Sequence, residues 1–364
     1  MRPLVADIDL DALRHNYRLA CACAPQSQSV AVIKANAYGH GAVACARALA
    51  SEAPAFAVAC LEEAITLREA GIQTPIVLLE GIFAADELPL VDQYGLWLAV
   101  HSRWQVQALK AFTPSAPIPV WLKVDSGMHR LGFAPDEAAS VWRTLAAMPE
   151  VDALHLMSHF ATADATDSRY FAQQMAILNG LATELDAPLC LANSPATLAR
   201  PEAHGAWNRP GVMLYGSDPL ETPNALTRQL KPVMTLRSEV IALREIAAGE
   251  PVGYGGRFRA PRRSRIAVVA AGYGDGYDRH AIDGTPVLVA GKRASLAGKV
   301  SMDMLTVDVT DNPEAAIGSE VVLWGRAQNG AVLSVDEVAR HCDTISYTLL
   351  TGMLPRVPRR YSGR

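Results

Sequence analysis

The sequence predicts a (β/α)8 barrel of the TIM type followed by a mostly β carboxyl-terminal domain, for three reasons. In the first two-thirds of the chain, short apolar runs alternate with longer helical stretches. These runs number eight, and eight parallel strands close such a barrel. After about residue 225, closely spaced β-rich runs replace the helices. We therefore expect a barrel over residues 1–225 and a second, mostly β domain over residues 226–364.

Each predicted element follows from its residue pattern. Helices are predicted between the barrel strands, for example over 61–70, where Gly71 is a helix stop, and over 167–185. An open doubly wound sheet is the alternative, but no strand–GxGxxG–helix signature occurs near the start. The barrel strands are predicted at residues 30–33, 55–59, 76–79, 96–100, 120–124, 153–157, 189–192 and 212–215. In the second domain, strands are predicted at 233–246, 265–271, 285–289, 293–297, 305–309 and 320–323, and helices at 335–342 and 346–351.

Composition narrows the class of protein. A chain of 364 residues, half of them hydrophobic and 19% charged, is typical of a folded enzyme. The net charge of −4 gives no reason to expect nucleic acid or an anionic membrane as a partner. No apolar run has the length of a membrane span, and the acids near the amino terminus do not fit a signal peptide, so we expect a cytoplasmic protein. The six cysteines show no metal-finger spacing, so no metal is predicted.

A lysine at the end of the first predicted strand is the first candidate for chemistry. Lys34 follows a β-branched apolar run and precedes a small-residue loop that contains Gly39 and Gly41. Burial there would lower the pKa of the amine and make it a usable nucleophile. A lysine that only extends its amine to solvent from a strand end is the alternative reading.

Other polar residues collect where the predicted strands end. In a TIM barrel, functional residues lie at the carboxyl ends of the strands. Arg209, Pro210 and Gly211 precede the eighth predicted strand, which Tyr215 ends. In the second domain, the segments 252–256 and 272–277 either bring backbone and tyrosine hydroxyls to a ligand or form tight β-turns. The remaining rim residues are Lys123, Asp125, Ser158, His159, Asn193 and Ser194.

Seven motifs, in order along the chain, resemble those of bacterial alanine racemases. They lie at residues 32–41, 123–132, 193–194, 209–211, 253–255, 272–276 and 301–303. The resemblance implies a fold-type III pyridoxal phosphate enzyme that interconverts L- and D-alanine. It also implies a head-to-tail homodimer with two shared active sites.

The resemblance assigns the proton-transfer residues. Lys34 binds the cofactor covalently and serves as the base for D-alanine, and Tyr254 of the partner subunit serves for L-alanine. His159 links this tyrosine to Arg209, which faces the pyridine nitrogen of the cofactor. Because a guanidinium does not give up its proton, the ring nitrogen then stays unprotonated, which suppresses transamination.

The resemblance also assigns the binding residues. Arg130 contacts the cofactor hydroxyl and the substrate carboxylate, and Lys123 orients Arg130. An unmodified Lys123 would repel Arg130, whereas a carbamate would attract it, and the sequence leaves this modification open. Tyr347 and Tyr273 narrow the entrance, which implies a small substrate side chain. The cofactor phosphate is expected at Tyr38, Ser194, Gly211, Val212 and Tyr347. Met302 and Asp303 of the partner subunit are expected beside the substrate.

Two other functions compete with an alanine racemase. A single barrel of this kind can hold pyridoxal phosphate without turnover, but the second domain with Tyr254 favours an enzyme. A racemase for larger or basic amino acids is the other alternative, and the missing signal peptide weighs against it. The sequence leaves open whether the product is D-alanine for peptidoglycan or whether the enzyme serves alanine catabolism.

Overall fold

The computed structural model describes residues 2–165 and 167–363. Its strands are β1 (Val5–Asp9), β2 (Gln28–Ser29), β3 (Ala31–Val32), β4 (Phe56–Val58), β5 (Ile76–Leu78), β6 (Leu96–Val100), β7 (Ile118–Lys123), β8 (Val151–Met157), β9 (Leu189–Cys190), β10 (Trp207–Asn208), β11 (Met234–Ile246), β12 (Pro251–Val252), β13 (Phe258–Arg259), β14 (Ser264–Val269), β15 (Pro286–Val289), β16 (Lys292–Leu296), β17 (Leu305–Asp308), β18 (Glu320–Arg326), β19 (Val332–Leu333) and β20 (Arg359–Ser362). Its α-helices are α1 (Leu10–Cys23), α2 (Lys34–Tyr38), α3 (Ala42–Leu49), α4 (Leu61–Glu69), α5 (Leu88–Gln93), α6 (Arg103–Ala111), α7 (Pro135–Ala146), α8 (Arg169–Leu185), α9 (Ser194–Ala199), α10 (Val335–His341) and α11 (Ser346–Thr351).

Strands β2 to β10 form the predicted barrel. Each neighbouring pair in the sheet is parallel, in the order β3-β4-β5-β6-β7-β8-β9-β10-β2. Strands β2 and β3 flank Val30 and together act as the first strand of the barrel, so the pairing of β10 with β2 closes it. The predicted (β/α)8 architecture is confirmed.

The eighth barrel strand was predicted at the wrong place. Residues 212–215 form a buried 3-10 turn, Val212–Tyr215, and the strand is the two-residue β10 before them. A short buried apolar run does not distinguish a strand from a buried helical turn. Tyr215 ends this turn and donates a hydrogen bond to the carbonyl oxygen of Val32 at 2.9 Å. Arg209 therefore follows the eighth strand instead of preceding it, at the same rim as the other polar residues.

The second sheet is antiparallel apart from the β1–β20 pair. Strand β11 pairs with both β14 and β18, and the pairs β14–β17, β17–β16, β16–β15 and β15–β18 complete a ring of six strands. Strand β1, which precedes the barrel, adds to this sheet between β11 and β20. The first and last strands of the chain thus join the second sheet, and the division at residues 225 and 226 stays a prediction.

Three tryptophans and a histidine fill one layer of the barrel interior. Trp121 lies on β7 two residues before Lys123, and Trp207 lies on β10 two residues before Arg209. Side chains two residues apart on a strand lie on the same face, so both tryptophans lie on the inward face, one layer deeper than these rim residues. The ring centroid of Trp121 is 5.9 Å from those of Trp207 and His155 and 6.3 Å from that of Trp97. Close-packed aromatic side chains therefore fill the barrel directly below the residues of the rim.

Replacement of Trp121 by alanine tests this packing. The indole is fully buried, so the cavity left by Trp121→Ala should lower the free energy of unfolding by about 3–5 kcal/mol. Urea denaturation measures it. Trp104→Ala is the control, because Trp104 on α6 is 43% exposed and its loss should cost about 0.5 kcal/mol or less. Equal losses in the two variants would contradict the packing argument.

In the described part of the chain, no helix has the length and apolar character needed to cross a bilayer.

Candidate active site

A cavity of about 600 Å³ opens at the carboxyl ends of the barrel strands. The chain folds so that β3, β7, β8 and β10 each deliver a polar side chain to it, within two residues of the strand end. It brings together ten predicted site residues, which are Lys34, Tyr38, Lys123, Arg130, His159, Ser194, Arg209, Gly211, Val212 and Tyr347. Of these, Tyr347 comes from α11 in the second domain.

A left-handed helical turn positions Lys34 and Tyr38. Residues 35–38 all have positive φ, between 50° and 54°, although none is glycine. A left-handed conformation costs roughly 1–2 kcal/mol for each such residue because Cβ approaches the backbone carbonyl oxygen. The surrounding structure must therefore hold the turn.

The turn is held by hydrogen bonds from both sides. Glu63 on α4 accepts from the backbone N–H of Ala35 at 2.6 Å and of Ala59 at 2.8 Å. The side-chain oxygen of Asn36 accepts from the N–H of Ala42 at 2.8 Å. On the far side, Arg359 of β20 donates to the carbonyl oxygen of Gly39 at 2.6 Å. One carboxylate thus connects the turn to the end of the neighbouring strand β4, and the second domain supports its other end.

Glycine at position 39 is required by this contact with the second domain. Its φ is +81°, and a Cβ there would lie 2.1 Å from the carbonyl oxygen of Leu350 on α11. Any side chain would separate α11 from the turn. The position of α11 in the second domain therefore depends on a glycine in the turn that begins the cavity wall.

Removal of the Glu63 carboxylate should loosen the turn. Glu63→Ala leaves two backbone donors without their charged partner, so the free energy of unfolding should fall by about 1–3 kcal/mol. Urea denaturation measures this change. For pyridoxal phosphate, the cofactor expected from the sequence, we also expect a loss of affinity of roughly 10-fold or more, which an absorbance titration measures. Glu62→Ala is the matched control, because Glu62 is exposed on the same turn of α4. Identical results for the two variants would contradict this role of Glu63.

A second part of the cavity can hold a dianion by hydrogen bonds. The Ser194 hydroxyl oxygen accepts from the backbone N–H of Gly211 at 2.8 Å and of Met213 at 3.2 Å. A Cβ on Gly211 would lie 2.6 Å from the Tyr38 hydroxyl oxygen, so glycine leaves this space open. Burial raises the pKa of Tyr347 to about 12 and also raises that of Tyr38. Both hydroxyls thus stay protonated and can donate.

The cavity has more positive than negative charge. Burial lowers the pKa of Lys34, and the charge of Glu80 opposes this shift. Burial, followed by the charges of Arg209 and Arg130, lowers the pKa of Lys123 to about 8. Glu80 is the carboxylate among the lining residues. Such a site favours an anionic ligand and makes its lysines easier to deprotonate.

Arg209 is buried and held by backbone carbonyl groups. Its guanidinium donates to the carbonyl oxygen of Ser158 at 2.6 Å and to that of Leu191 at 3.3 Å. It also donates to the carbonyl oxygen and, at 3.0 Å, to the sulfur of Cys190. These bonds connect the ends of β8, β9 and β10.

Comparison with known proteins identifies the family. Residues 8–219 match the family model described as alanine racemase, N-terminal domain, and residues 233–361 match alanine racemase, C-terminal domain. The chain belongs to the alanine racemase family. It is 71% identical over 361 residues to an alanine racemase of Chromohalobacter salexigens. The aligned region covers 99% of this chain and 98% of that protein. The predicted enzyme class, an amino-acid racemase and hence an isomerase, is confirmed.

Relatives with different stated roles are equally similar. A catabolic alanine racemase of Pseudomonas putida is 52% identical over 363 residues and covers the whole of both chains. The crystal structure of a biosynthetic alanine racemase from Pseudomonas aeruginosa is also 52% identical, with a TM-score of 0.95 over 100% of both chains. Identity to these two racemases therefore does not separate the two roles.

Four predicted site residues lie outside the cavity of their own chain. Tyr254 is 66% exposed, and Met302, Asp303 and Tyr273 are also exposed. The last three adjoin each other, since the N–H of Tyr273 donates to Ser301 and that of Gly274 donates to Met302. The structure thus places these predicted residues on the surface of the second domain. Their roles stay predictions.

Two acidic residues of the site were missed from the sequence. Glu80 lies two residues after β5, at the same rim as Lys123, the last residue of β7, so a position at the end of a buried strand was a usable signal. Glu63 lies inside an amphipathic helix, 28 residues from its partner Ala35. No local pattern marks it.

Proposed function

We propose that this chain interconverts L- and D-alanine with bound pyridoxal phosphate, at sites that two copies of the chain form together. The observation that carries the proposal is the rim cavity, in which the amine of Lys34 and the guanidinium of Arg209 face one space in a member of the alanine racemase family. The same reversible reaction serves D-alanine supply for peptidoglycan and alanine catabolism.

The donors of the cavity fit pyridoxal phosphate. Lys34 would bind the aldehyde carbon, and its lowered pKa favours the neutral, nucleophilic amine. The phosphate would take the space between Tyr38, Tyr347 and Ser194, where the backbone at Gly211 and Val212 lines the wall. The bound cofactor supplies an electron sink that makes the α-proton of alanine acidic. Arg209 can donate hydrogen bonds to the ring but does not transfer a proton to it.

Two groups would move the proton on opposite faces of the α-carbon. Lys34, as a neutral amine, would remove the α-proton of D-alanine and return a proton to the same face of the α-carbon. Tyr254 of the partner subunit would serve the face of L-alanine. Tyr254 is exposed and is not among the residues that line the cavity of its own chain, which supports its use by a second copy of the chain.

His159 and Arg209 would hold the hydroxyl group of the partner subunit's Tyr254 for proton transfer. Burial, followed by the charge of Arg209, holds the pKa of His159 well below its usual range, so its ring is neutral with one donor and one acceptor nitrogen. Because Arg209 only donates, a ring nitrogen that faces it must accept. The other nitrogen would then donate a hydrogen bond to the Tyr254 oxygen of the partner subunit and stabilise that oxygen when it has given up its proton.

Lys123 would act on the substrate through Arg130. Its pKa of about 8 leaves a neutral fraction that can react with carbon dioxide, and the resulting carbamate is an anion beside the Arg130 guanidinium. Arg130, held in this way, would bind the substrate carboxylate.

Carbon-13 NMR in labelled bicarbonate tests the carbamate. The wild-type protein should show a carbamate resonance that is lost in Lys123→Arg, because a guanidinium does not react in this way. Lys110→Arg is the control, since Lys110 is exposed on α6. A spectrum without the resonance, or one in which it persists in the Lys123 variant, would contradict the proposal.

A narrow entrance would select a small substrate. Tyr347 lines the cavity wall, and Tyr273, Met302 and Asp303 of the partner subunit would close its open side. Rejection by size alone is worth about 1–3 kcal/mol for each extra methylene group, so slow turnover of slightly larger amino acids is expected.

Incubation of the cofactor-loaded protein with L-alanine in heavy water tests the proposed function. We expect D-alanine that carries deuterium at the α-carbon, detected by chiral chromatography and mass spectrometry, because the incoming proton comes from solvent. Cofactor binding without D-alanine would reject this function. If the protein racemises larger amino acids and not alanine, alanine is not its substrate and the racemase for larger or basic amino acids is the correct alternative.

Tyr254→Phe should remove one of the two proton-transfer groups. Because the equilibrium constant between the enantiomers is one, kcat/KM should fall equally in both directions, by roughly 100-fold or more. The enantiomers should differ in exchange of the α-proton with solvent, which persists for D-alanine through Lys34 and is lost for L-alanine. NMR in heavy water measures both rates, and absorbance confirms retained cofactor. Equal exchange from both enantiomers, or loss of the cofactor, would show that Tyr254 has another role.

A further inference from the structure

A fully buried glutamine on α8 contacts the segments that follow β7 and β8, two of the strands that supply the cavity. Gln174 donates from Nε2 to the Ser126 hydroxyl oxygen at 3.0 Å and to the carbonyl oxygen of His159 at 3.2 Å. Its Oε1 accepts from the N–H of Ala161 at 3.0 Å. All hydrogen-bonding atoms of the amide are thus used, on one side by the loop after β7 and on the other by the segment after β8.

The hydroxyl groups next to Gln174 have only one consistent orientation. Ser158 donates to the carbonyl oxygen of Val124 at 2.7 Å, so its single proton is used. Ser126 lies 3.0 Å from the Ser158 hydroxyl and must therefore donate to it, and it accepts from Gln174. The carbonyl oxygen of Ser158 in turn accepts from Arg209. The chain of hydrogen bonds thus runs from Gln174 through the Ser126 and Ser158 hydroxyl groups to the carbonyl oxygen of Val124. It fixes the side chain of Ser158, the residue whose backbone carbonyl group holds Arg209.

A second residue of α8 holds the loop that carries Arg130. Tyr170, one turn before Gln174, donates a hydrogen bond to the carbonyl oxygen of Gly127. Gly127 has a φ of +141°, and a Cβ there would lie 2.7 Å from the Tyr170 hydroxyl oxygen. Asp125 accepts from the N–H of Gly127 and of His129. The loop is therefore compact and fastened to α8 at two neighbouring residues.

We propose that Gln174 and Tyr170 are positioning residues, which together we call the α8 latch. The latch fixes the position of Arg130, which binds the substrate carboxylate, and the positions of His159 and Arg209, which support proton transfer by Tyr254 of the partner subunit. These roles rest on the proposed function. Neither residue lines the cavity. Each acts through a loop or a strand end that does.

The two residues of the latch predict different kinetic effects. The hydroxyl group of Tyr170 donates to the Arg130 loop, so its loss should weaken substrate binding and leave the chemical step unchanged. Gln174 contacts the Arg130 loop and the His159 segment, so its loss should affect both. A side chain that only stabilises the fold would lower the melting temperature without this division between KM and kcat.

Three variants of the cofactor-loaded protein test the latch. Tyr170→Phe removes one hydroxyl from a side chain that is 38% exposed, which protects the fold. It should raise KM for alanine about 10-fold with kcat unchanged, since small displacements of a binding group cost up to about 100-fold. Gln174→Met should raise KM and lower kcat, each about 10-fold. Gln173→Met is the matched control, because Gln173 is the exposed neighbour on α8, and its constants should equal those of the wild type.

Binding of propionate supplies a readout that does not depend on turnover. Propionate is alanine without its amino group, so it tests the carboxylate site alone through the absorbance of the bound cofactor. Its Kd should rise about 10-fold in Tyr170→Phe, with a melting temperature equal to that of the wild type. An unchanged Kd and KM in Tyr170→Phe would overturn the latch, as would a Gln174→Met variant that differs only in melting temperature.

The same measurements separate the latch from the proposed function. A wild-type protein that makes no D-alanine would reject the racemase function. A propionate Kd that still rises in Tyr170→Phe and not in Gln173→Met would then support the latch as the support of an anion site. An active wild type with unaltered variants would reject the latch alone.

Discussion

The left-handed turn at residues 35–38 is the constraint on which the site depends. Four successive non-glycine residues keep positive φ, a conformation that each disfavours. The turn persists because Glu63 binds it from the barrel and Arg359 binds it from the second domain. It directs the amine of Lys34 and the hydroxyl of Tyr38 into one cavity. A relaxed, right-handed turn would separate the reactive group from the anion site.

The second domain therefore has two functions in this architecture. It completes the site of its own chain, because Tyr347 lines the cavity and α11 packs on Gly39. It also carries Tyr254 exposed on its surface, where we propose that another copy uses it. The presence of this domain alone thus does not separate an enzyme from a cofactor carrier, since the domain also adds Tyr347 to the wall of the cavity. The family membership and the proton-transfer chemistry favour the enzyme.

The sequence predicted what depends on local pattern and missed what depends on distant contacts. Seven barrel strands were found because a buried parallel strand is a short apolar run. Strand β10 was missed because it has two residues, one of them Asn208, whereas the nearby apolar run forms a buried turn. The rim residues after the strands were found for the same reason, Glu80 excepted. Nothing in residues 35–38 marks a left-handed turn, and the roles of Glu63 and Gln174 arise only from contacts across the fold.

We propose above all that each site combines Lys34 of one copy with Tyr254 of the other. A heterodimer of a Lys34→Ala chain and a Tyr254→Phe chain, isolated by two different tags, tests it directly. If the site is shared, one of its two sites has both native groups, so racemisation should be about half that of the wild-type dimer, although each parent variant is almost inactive. A heterodimer no more active than its parents would show that both groups act within one chain and would contradict the account.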